Sequence, residues 1–348
     1  MNSKISVTLL AVLIFGSLTA CSDKNDRDGD SPKTDFSAAW QKPFAEKLQE
    51  FKDSADFDEN VSAFDIADIT GDSTPELIIS TAVSGTEACR IFSLDGESVK
   101  KIGNVGSCGV FGYIPELNVI RDEYVGTGFV IGKILSCGES ELTTQLTYSD
   151  NSASAASGAE IYHKINDKEM LLADYQAALS DYDNSAEVKL GRRYSFGAET
   201  VDYALNTAES WNASLNKKQK KICREKLEDI SASAEKNTSA FDLADLNGDG
   251  TPELLISSGT SPESDVQIYY LTGDTISLME GTYGCNGTFT LDVKERVFAY
   301  ISQESGNMSY WSIANPDFKA DSYDDQSNKI ECGRRYPLTE AGISAVFD

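Results

Sequence analysis

Residues 241 to 257 read FDLADLNGDGTPELLIS, and residues 64 to 80 read FDIADITGDSTPELIIS. The stretches lie 177 residues apart and agree at 12 of 17 positions, which marks an internal duplication. In the later copy Asp245, Asn247, Asp249, Thr251 and Glu253 fall at alternate positions around Gly248 and Gly250. Oxygen donors alternating along a glycine bend are how a short loop wraps a hard cation such as calcium. An EF-hand is excluded: its twelfth loop position needs a bidentate Glu leading into a helix, but here that place is Ile256, within an apolar run that follows Pro252. What remains is a calcium loop between two strands.

The earlier copy offers Asp68, Thr70, Asp72, Thr74 and Glu76. Thr70 supplies a hydroxyl in place of the Asn247 amide, and Ser73 stands at the bend where Gly250 sits. A non-glycine residue at positive φ costs about 1 kcal/mol. The second-half site is therefore expected to be the stronger, and the first weak or vestigial. At these residues the chain resembles the FG-GAP and VCBS-type repeats, whose signature D-x-N-x-D-G-x-x-D/E precedes an apolar strand. The resemblance covers each loop and the two strands after it; it implies bound calcium and blade-like strands. Two copies are fewer than the several needed to close a propeller ring.

Around each loop the pattern is β-rich. FDIADI, PELIIST, ACRIFSL, SVKKIGNV, GYIPELNVI, GTGFVIGKIL and ELTTQLTYSD follow one another in the first half, and FDLADL, PELLISS, DVQIYYL, TISLMEG, GTFTLDV, VFAYIS and MSYWSIA in the second. Strands so closely spaced are joined by hairpins, so an antiparallel meander is expected, with Asp95-Gly96 as one turn. A helix precedes each meander. Trp40, Phe44, Leu48 and Phe51 share a face in the first, and Leu215, Ile222, Cys223, Leu227 and Ile230 in the second, roughly 211 to 230. A further helix should place Met170, Leu171, Tyr175 and Leu179 on one side. Gly191-Arg192-Arg193-Tyr194 reappears as Gly333-Arg334-Arg335-Tyr336, 142 residues on. The expected fold is thus mainly β (α+β): two homologous antiparallel β-meander domains, propeller-blade-like, at 36 to 198 and 199 to 348.

The amino terminus reads as an address. Lys4 and an apolar run precede Leu18-Thr19-Ala20-Cys21, which resembles a bacterial lipoprotein signal (1 to 21) with Cys21 as the lipidated residue. Residues 22 to 35 have no core-forming side chain and are expected to be a disordered tether. Ser22 after the lipid site resembles an outer-membrane sorting signal in Gram-negative cells. The formal charge is −26, which excludes nucleic acid as a natural partner.

With Cys21 spent, six cysteines remain, and an oxidising compartment permits up to three disulfides. Cys89, Cys108 and Cys137 lie in the first half and Cys223, Cys285 and Cys332 in the second, so complete pairing needs a bridge between halves. Cys108 and Cys285 lie 177 apart, which suggests equivalent places.

No catalytic constellation stands out. His163 is the sole histidine, lacks a nucleophile motif beside it, and reads as a surface residue. The doubled Arg-Arg-Tyr reads as a tie from the end of each half onto its own acidic surface, with a guanidinium fork for a ligand carboxylate or sulfate as the alternative. The basic run from Lys217 to Lys226 reads as a solvated helix face. The functional expectation is a non-enzymatic cell-envelope module that binds protein or glycan, with calcium in structural loops. The alternative is a carboxylate-dependent hydrolase acting on extracellular polysaccharide.

Overall fold

A computed structural model describes residues 38–82, 84–153, 160–207, 214–232, 239–259, 261, 264–279, 281, 283–284, 287–301, 308–312, 319–320 and 327–347. The expected leader, Cys21, the tether and Cys285 lie outside them.

Residues 36–348 form one compact unit built on four antiparallel sheets. The first is the meander β1 (Ala63–Ala67), β2 (Glu76–Ser80), β3 (Cys89–Asp95) and β4 (Ser98–Val105). The second runs through β5 (Phe111–Ile114), β6 (Val119–Gly126), β7 (Phe129–Cys137), β8 (Leu142–Asp150), β9 (His163–Ile165) and β10 (Lys168–Glu169), and β11 (Val188–Leu190) returns beside β5. The second half repeats this. β12 (Ala240–Ala244), β13 (Glu253–Ser257), β14 (Val266–Thr272) and β15 (Thr275–Leu278) form the third sheet. The fourth holds β16 (Phe289–Asp292), β17 (Val297–Ile301), β18 (Met308–Ser312) and β19 (Lys319–Ala320), with β20 (Lys329–Cys332) beside β16. β21 (Tyr336–Pro337) then pairs with β12.

Why the sequence breaks where it does is mostly local. Asp95-Gly96 turns β3 into β4 with Gly96 at φ 64°. Pro115 stops the run GYIPELNVI from being one strand, because it lacks an N–H for the ladder; a 3-10 turn at Pro115–Leu117 separates β5 from β6. The first helix, α1 (Gln41–Lys52), buries Phe44, Leu48 and Phe51 and carries Pro43 in its opening turn, where no N–H is needed. α2 (Leu172–Asn184) buries Tyr175 and Leu179, but Leu171 precedes it and is 75% exposed, contrary to the shared face expected. Between the halves stands α3 (Ala198–Thr207), which the sequence did not reveal. α4 (Lys217–Ser231) begins with an Asn216/Gln219 capping box and buries Cys223 and Leu227. α5 (Glu340–Phe347) ends the described chain.

The halves are interlocked by their closing segments. Tyr194 pairs with Phe64 in β1 of its own half and with Ile330 in β20 of the other, linking the first and fourth sheets. The Arg193 carbonyl accepts from the Glu331 N–H (2.9 Å), and the Arg335 carbonyl from the Lys189 N–H (3.3 Å). One large core accordingly mixes both halves, packing Phe44, Phe64 and Tyr194 with Phe241, Leu254, Phe298 and Ile330. A second core lies between the first two sheets, and a third between the seven-stranded sheet and α2.

The disulfide expectation is overturned for the described cysteines. Cys89, Cys108, Cys137, Cys223 and Cys332 are free thiols. All but Cys108 are buried among apolar side chains, where cysteine serves as a small hydrophobe. Burial pushes the Cys89, Cys137 and Cys223 thiols up to about 12, so they are unreactive.

Candidate functional site

The two loops sit at equivalent ends of equivalent hairpins. β1 pairs with β2 from Ala63↔Ser80 to Ala67↔Glu76, and β12 with β13 from Ala240↔Ser257 to Ala244↔Glu253. In the second loop the Gly248 and Gly250 N–H groups donate to Asp245 Oδ1 and Oδ2 (2.7 and 3.1 Å), and the Thr251 N–H donates to Asp249 Oδ1 (2.7 Å). Asn247 Nδ2 stands 3.2 Å from Asp249 Oδ2 and 2.9 Å from Glu253 Oε1, joining two carboxylates. Glu253 Oε2 accepts from the Leu246 N–H at 2.8 Å. Burial pushes the Glu253 carboxyl up to about 8, and the Asp245 and Asp249 charges push the same way.

Neighbouring elements hold this loop. The Tyr203 hydroxyl of α3 accepts from the Asp245 N–H (3.3 Å), and Arg296 Nη1 donates to the Asp245 carbonyl (2.8 Å).

The first loop is a looser copy. Asp68 accepts from the Gly71 and Ser73 N–H groups (2.7 and 2.9 Å), and Asp72 from Thr74 (2.7 Å). Thr70 Oγ1 reaches Glu76 Oε1 only at 3.4 Å. Ser73 takes the left-handed bend at φ 72°, as Gly250 does at 83°. Asn118 caps the Thr70 carbonyl at 3.1 Å from the turn that corresponds to that of Arg296. Burial pushes the Glu76 carboxyl up to about 7, with Asp68 and Asp72 adding to the rise.

The chemistry of the donor set suits a hard oxygen-seeking cation: two aspartates and a buried glutamate with an amide or hydroxyl between them. Their oxygens are turned onto main-chain N–H groups and onto the Asn247 and Thr70 side chains, and no three His, Cys, Asp or Glu side chains among the described residues are grouped as a metal site.

A second constellation was only half legible. Arg193 forks onto Asp242 of the other half, Nη1 to Oδ2 and Nη2 to Oδ1, both at 2.9 Å. Reciprocally, Arg335 Nη1 meets Asp65 Oδ1 and Oδ2 at 3.0 and 3.1 Å. Each aspartate also accepts an N–H from its own half, Gly191 to Asp65 (3.1 Å) and Gly333 to Asp242 (2.9 Å). Of the two arginines in each Arg-Arg-Tyr, the leading one alone ties back onto its own half, as expected. Arg192 donates to Val61 O (2.7 Å), Ser80 Oγ (3.2 Å) and Ala82 O (3.5 Å), and Arg334 to Ser257 Oγ (2.9 Å) and Gly259 O (2.6 Å). Sequence reasoning missed Asp65 and Asp242. The available signal was a carboxylate within an otherwise apolar strand, repeated in both copies, since such a buried charge demands a partner.

His163 corrects another expectation. It is 9% exposed, not a surface residue, with Nδ1 3.2 Å from Asp150 Oδ1 and its ring against Tyr175. The basic α4 is an exposed face as expected, with Lys218 on Asp274, Lys221 on Glu225 and Arg224 on Glu228. No helix among the described residues is long and apolar enough to cross a membrane. Comparison with protein-family models, with curated proteins and with solved structures gives no match.

Proposed function

We propose that the chain is a lipid-anchored, extracytoplasmic binding module whose two β-hairpin loops are stiffened by calcium. The supporting observation is the Glu253 cluster: a buried carboxyl pushed up to about 8 beside two further carboxylates is an arrangement that a cation relieves. Asp245, Asn247, Asp249, Thr251 and Glu253 would hold the ion in the second half, and Asp68, Thr70, Asp72, Thr74 and Glu76 more weakly in the first. Calcium there neutralises the clustered charge and ties β12 to β13. Anchoring rests on Cys21 and its preceding segment, with the outer membrane as the site in a Gram-negative host and protein or glycan as the class of partner.

A binding role is favoured over hydrolysis by the state of the groove carboxylates. In the 510 Å³ groove over the seven-stranded sheet, Glu123 is paired with Arg121 and Glu187 with Lys189, so neither stands free as an acid or base.

Calorimetric titration tests the metal reading. One tight and one weaker calcium site are expected, with Asn247→Ala weakening the tight one and Thr70→Ala leaving it intact. Two equally tight sites, or no heat in a chelator-stripped sample, defeats it.

A further inference from the structure

The seven-stranded sheet contains a stretch of open edge. β6 pairs with β7 along its whole length, from Val119↔Ser136 to Gly126↔Phe129, but with β5 only from Gly112↔Arg121 to Ile114↔Val119. From Asp122 to Gly126 the other side of β6 has no strand partner among the described residues. The chain before β5 leaves this line because residues 106–110 turn toward the first sheet. Gly106, Cys108 and Gly109 take φ of 90°, 55° and 80°, and Gly109 packs against Ser80 of β2. The Gly106 N–H holds the turn beside the edge by donating to Asp122 Oδ1 (3.1 Å). The 510 Å³ groove is lined from the turn by Ser107, Cys108 and Val110, and from β6 by Glu123, Tyr124 and Val125.

Which main-chain groups face the groove follows from the hairpin. Thr127-Gly128 is a two-residue turn with Gly128 at φ 86°, so Gly126 and Phe129 exchange both hydrogen bonds of their pair. By alternation Tyr124 also bonds to β7, whereas Glu123 and Val125 direct their N–H and C=O groups away from it, into the groove. Among the described residues no hydrogen bond meets those four groups. Donors and acceptors in that spacing are matched by another extended backbone about 4.8 Å away.

Charge and side chains narrow the occupant. Arg121 is shared by Glu123 (3.2 Å) and Asp183 (2.8 Å), and Lys189 is matched by Glu187, so this set carries one surplus negative charge. A second copy of the chain, at −26, would be repelled. Residues 22 to 35 offer no Val, Leu, Ile, Met or aromatic side chain to set against Val110 and Val125, which are 41% and 67% exposed.

Resting on the binding-module reading above, we infer that this groove takes an extended segment of a partner polypeptide as an added strand on β6, with a cationic side chain across from Glu123 and an apolar one across from Val125. Glu123 and Val125 share a face of the sheet, so the segment needs those two side chains two positions apart. The edge is already fixed by the β6–β7 ladder, so the ordering on binding falls mainly on the segment.

The test titrates the heptapeptide TVTKTVT, acetylated and amidated at its ends, into the calcium-loaded full chain, followed by NMR and calorimetry. It should saturate at a Kd on the order of millimolar or tighter and slow hydrogen exchange at the Glu123 and Val125 amides. The peptide residues across from Glu123 and Val125 turn their own N–H groups to β6, so N-methylation at valine and lysine should weaken binding at least tenfold. Glutamate in place of the peptide lysine should weaken it too, by less as salt rises.

Val125→Pro removes a groove-facing N–H and leaves the β6–β7 ladder its bonds, so it should weaken peptide binding at least tenfold. If it also lowers the peptide-free melting point, the N-methylated peptide carries the test on the unaltered protein. Lys217→Gln on α4 should change nothing. Absence of saturation up to about 10 mM, equal binding of the N-methylated peptide, exchange unchanged at Glu123 and Val125, or loss in Lys217→Gln overturns the inference. A dimer of the free chain that Val125→Pro dissolves would seat a second copy in the groove and overturn it as well. Equal affinity for the glutamate peptide overturns the charge part. Calcium titration of the same samples separates the two readings: saturable calcium without peptide binding overturns this inference alone.

Discussion

Removing the Arg193 guanidinium should be among the most damaging single changes in the protein. Its side chain is 5% exposed and that of Asp242 1%, and their fork has two bonds of 2.9 Å. Breaking a buried pair by deleting one partner costs about 3–5 kcal/mol, because the other charge stays behind without solvent. For Arg193→Met, with a urea slope of about 3 kcal/mol/M, the midpoint should fall by on the order of 1 M or more. Asp242→Asn should cost a similar amount by stranding the guanidinium.

The double variant should lose less than the sum of the two by about 2 kcal/mol or more, since it strands neither charge. Arg335→Met should cost less than Arg193→Met, because Asp65 is met through Nη1 alone, at 3.0 and 3.1 Å. Urea unfolding of the parent protein and the four variants measures all of this. Single losses under about 1 kcal/mol, or additive losses in the double variant, refute the view that the halves are locked by exchanged ion pairs.

The metal-free protein should lose stability as pH rises. The Glu253 carboxyl is raised from 4.5 to about 8 and that of Glu76 to about 7, so their contribution is complete below about 4.5 and is lost as pH climbs through 7 to 8. Urea unfolding at pH 5 and pH 8 in chelator should show the fall, calcium should remove most of it, and Glu253→Gln should lessen it, leaving the Glu76 part; a flat profile in the parent protein counts against the buried cluster. The bends should respond in opposite senses: Gly250→Ser lowers the melting point and Ser73→Gly raises it, each by up to about 1 kcal/mol of stability. No atom lies within 4 Å of a Cβ placed on Gly250, so a loss there reports backbone strain, and melting curves that move the same way in both variants refute that origin.

The parts of the fold legible in the sequence were those with short-range causes. Strand runs, the Asp95-Gly96 turn and the left-handed bend at Ser73 all follow from neighbours in the chain, and the duplicated stretch announced its own equivalence. Partners distant in sequence were not legible. Arg335 and Asp65 are 270 residues apart, and nothing local tells an arginine whether its carboxylate lies in its own half or the other. α3 was missed because the preceding Arg-Arg-Tyr read as an ending, although Tyr203 of that helix supports the second loop. The cysteines misled through parity: an even count suggests pairs, while burial of Cys89 and Cys332 in separate apolar clusters gives each a different use.

Loop and ion pair belong to the same hairpin, and this bears on why the halves are unequal. Glu76 closes the β1–β2 ladder at the loop, Ser80 ends it where Arg192 docks, and Asp65 stands between them to receive Arg335. The second hairpin repeats the order with Glu253, Ser257 and Asp242. Any ion that stiffens a loop therefore restrains the strand that presents the buried aspartate. The second loop has glycine at the bend, an amide between its carboxylates, and Tyr203 and Arg296 behind it. Its aspartate also receives the fully forked arginine, whereas Asp65 receives one nitrogen. The half with the better-supported loop thus carries the better-formed ion pair. A rigid hairpin lowers the entropic cost of holding a planar fork in register, so strengthening the first loop with Ser73→Gly should act in part through the Arg335–Asp65 pair.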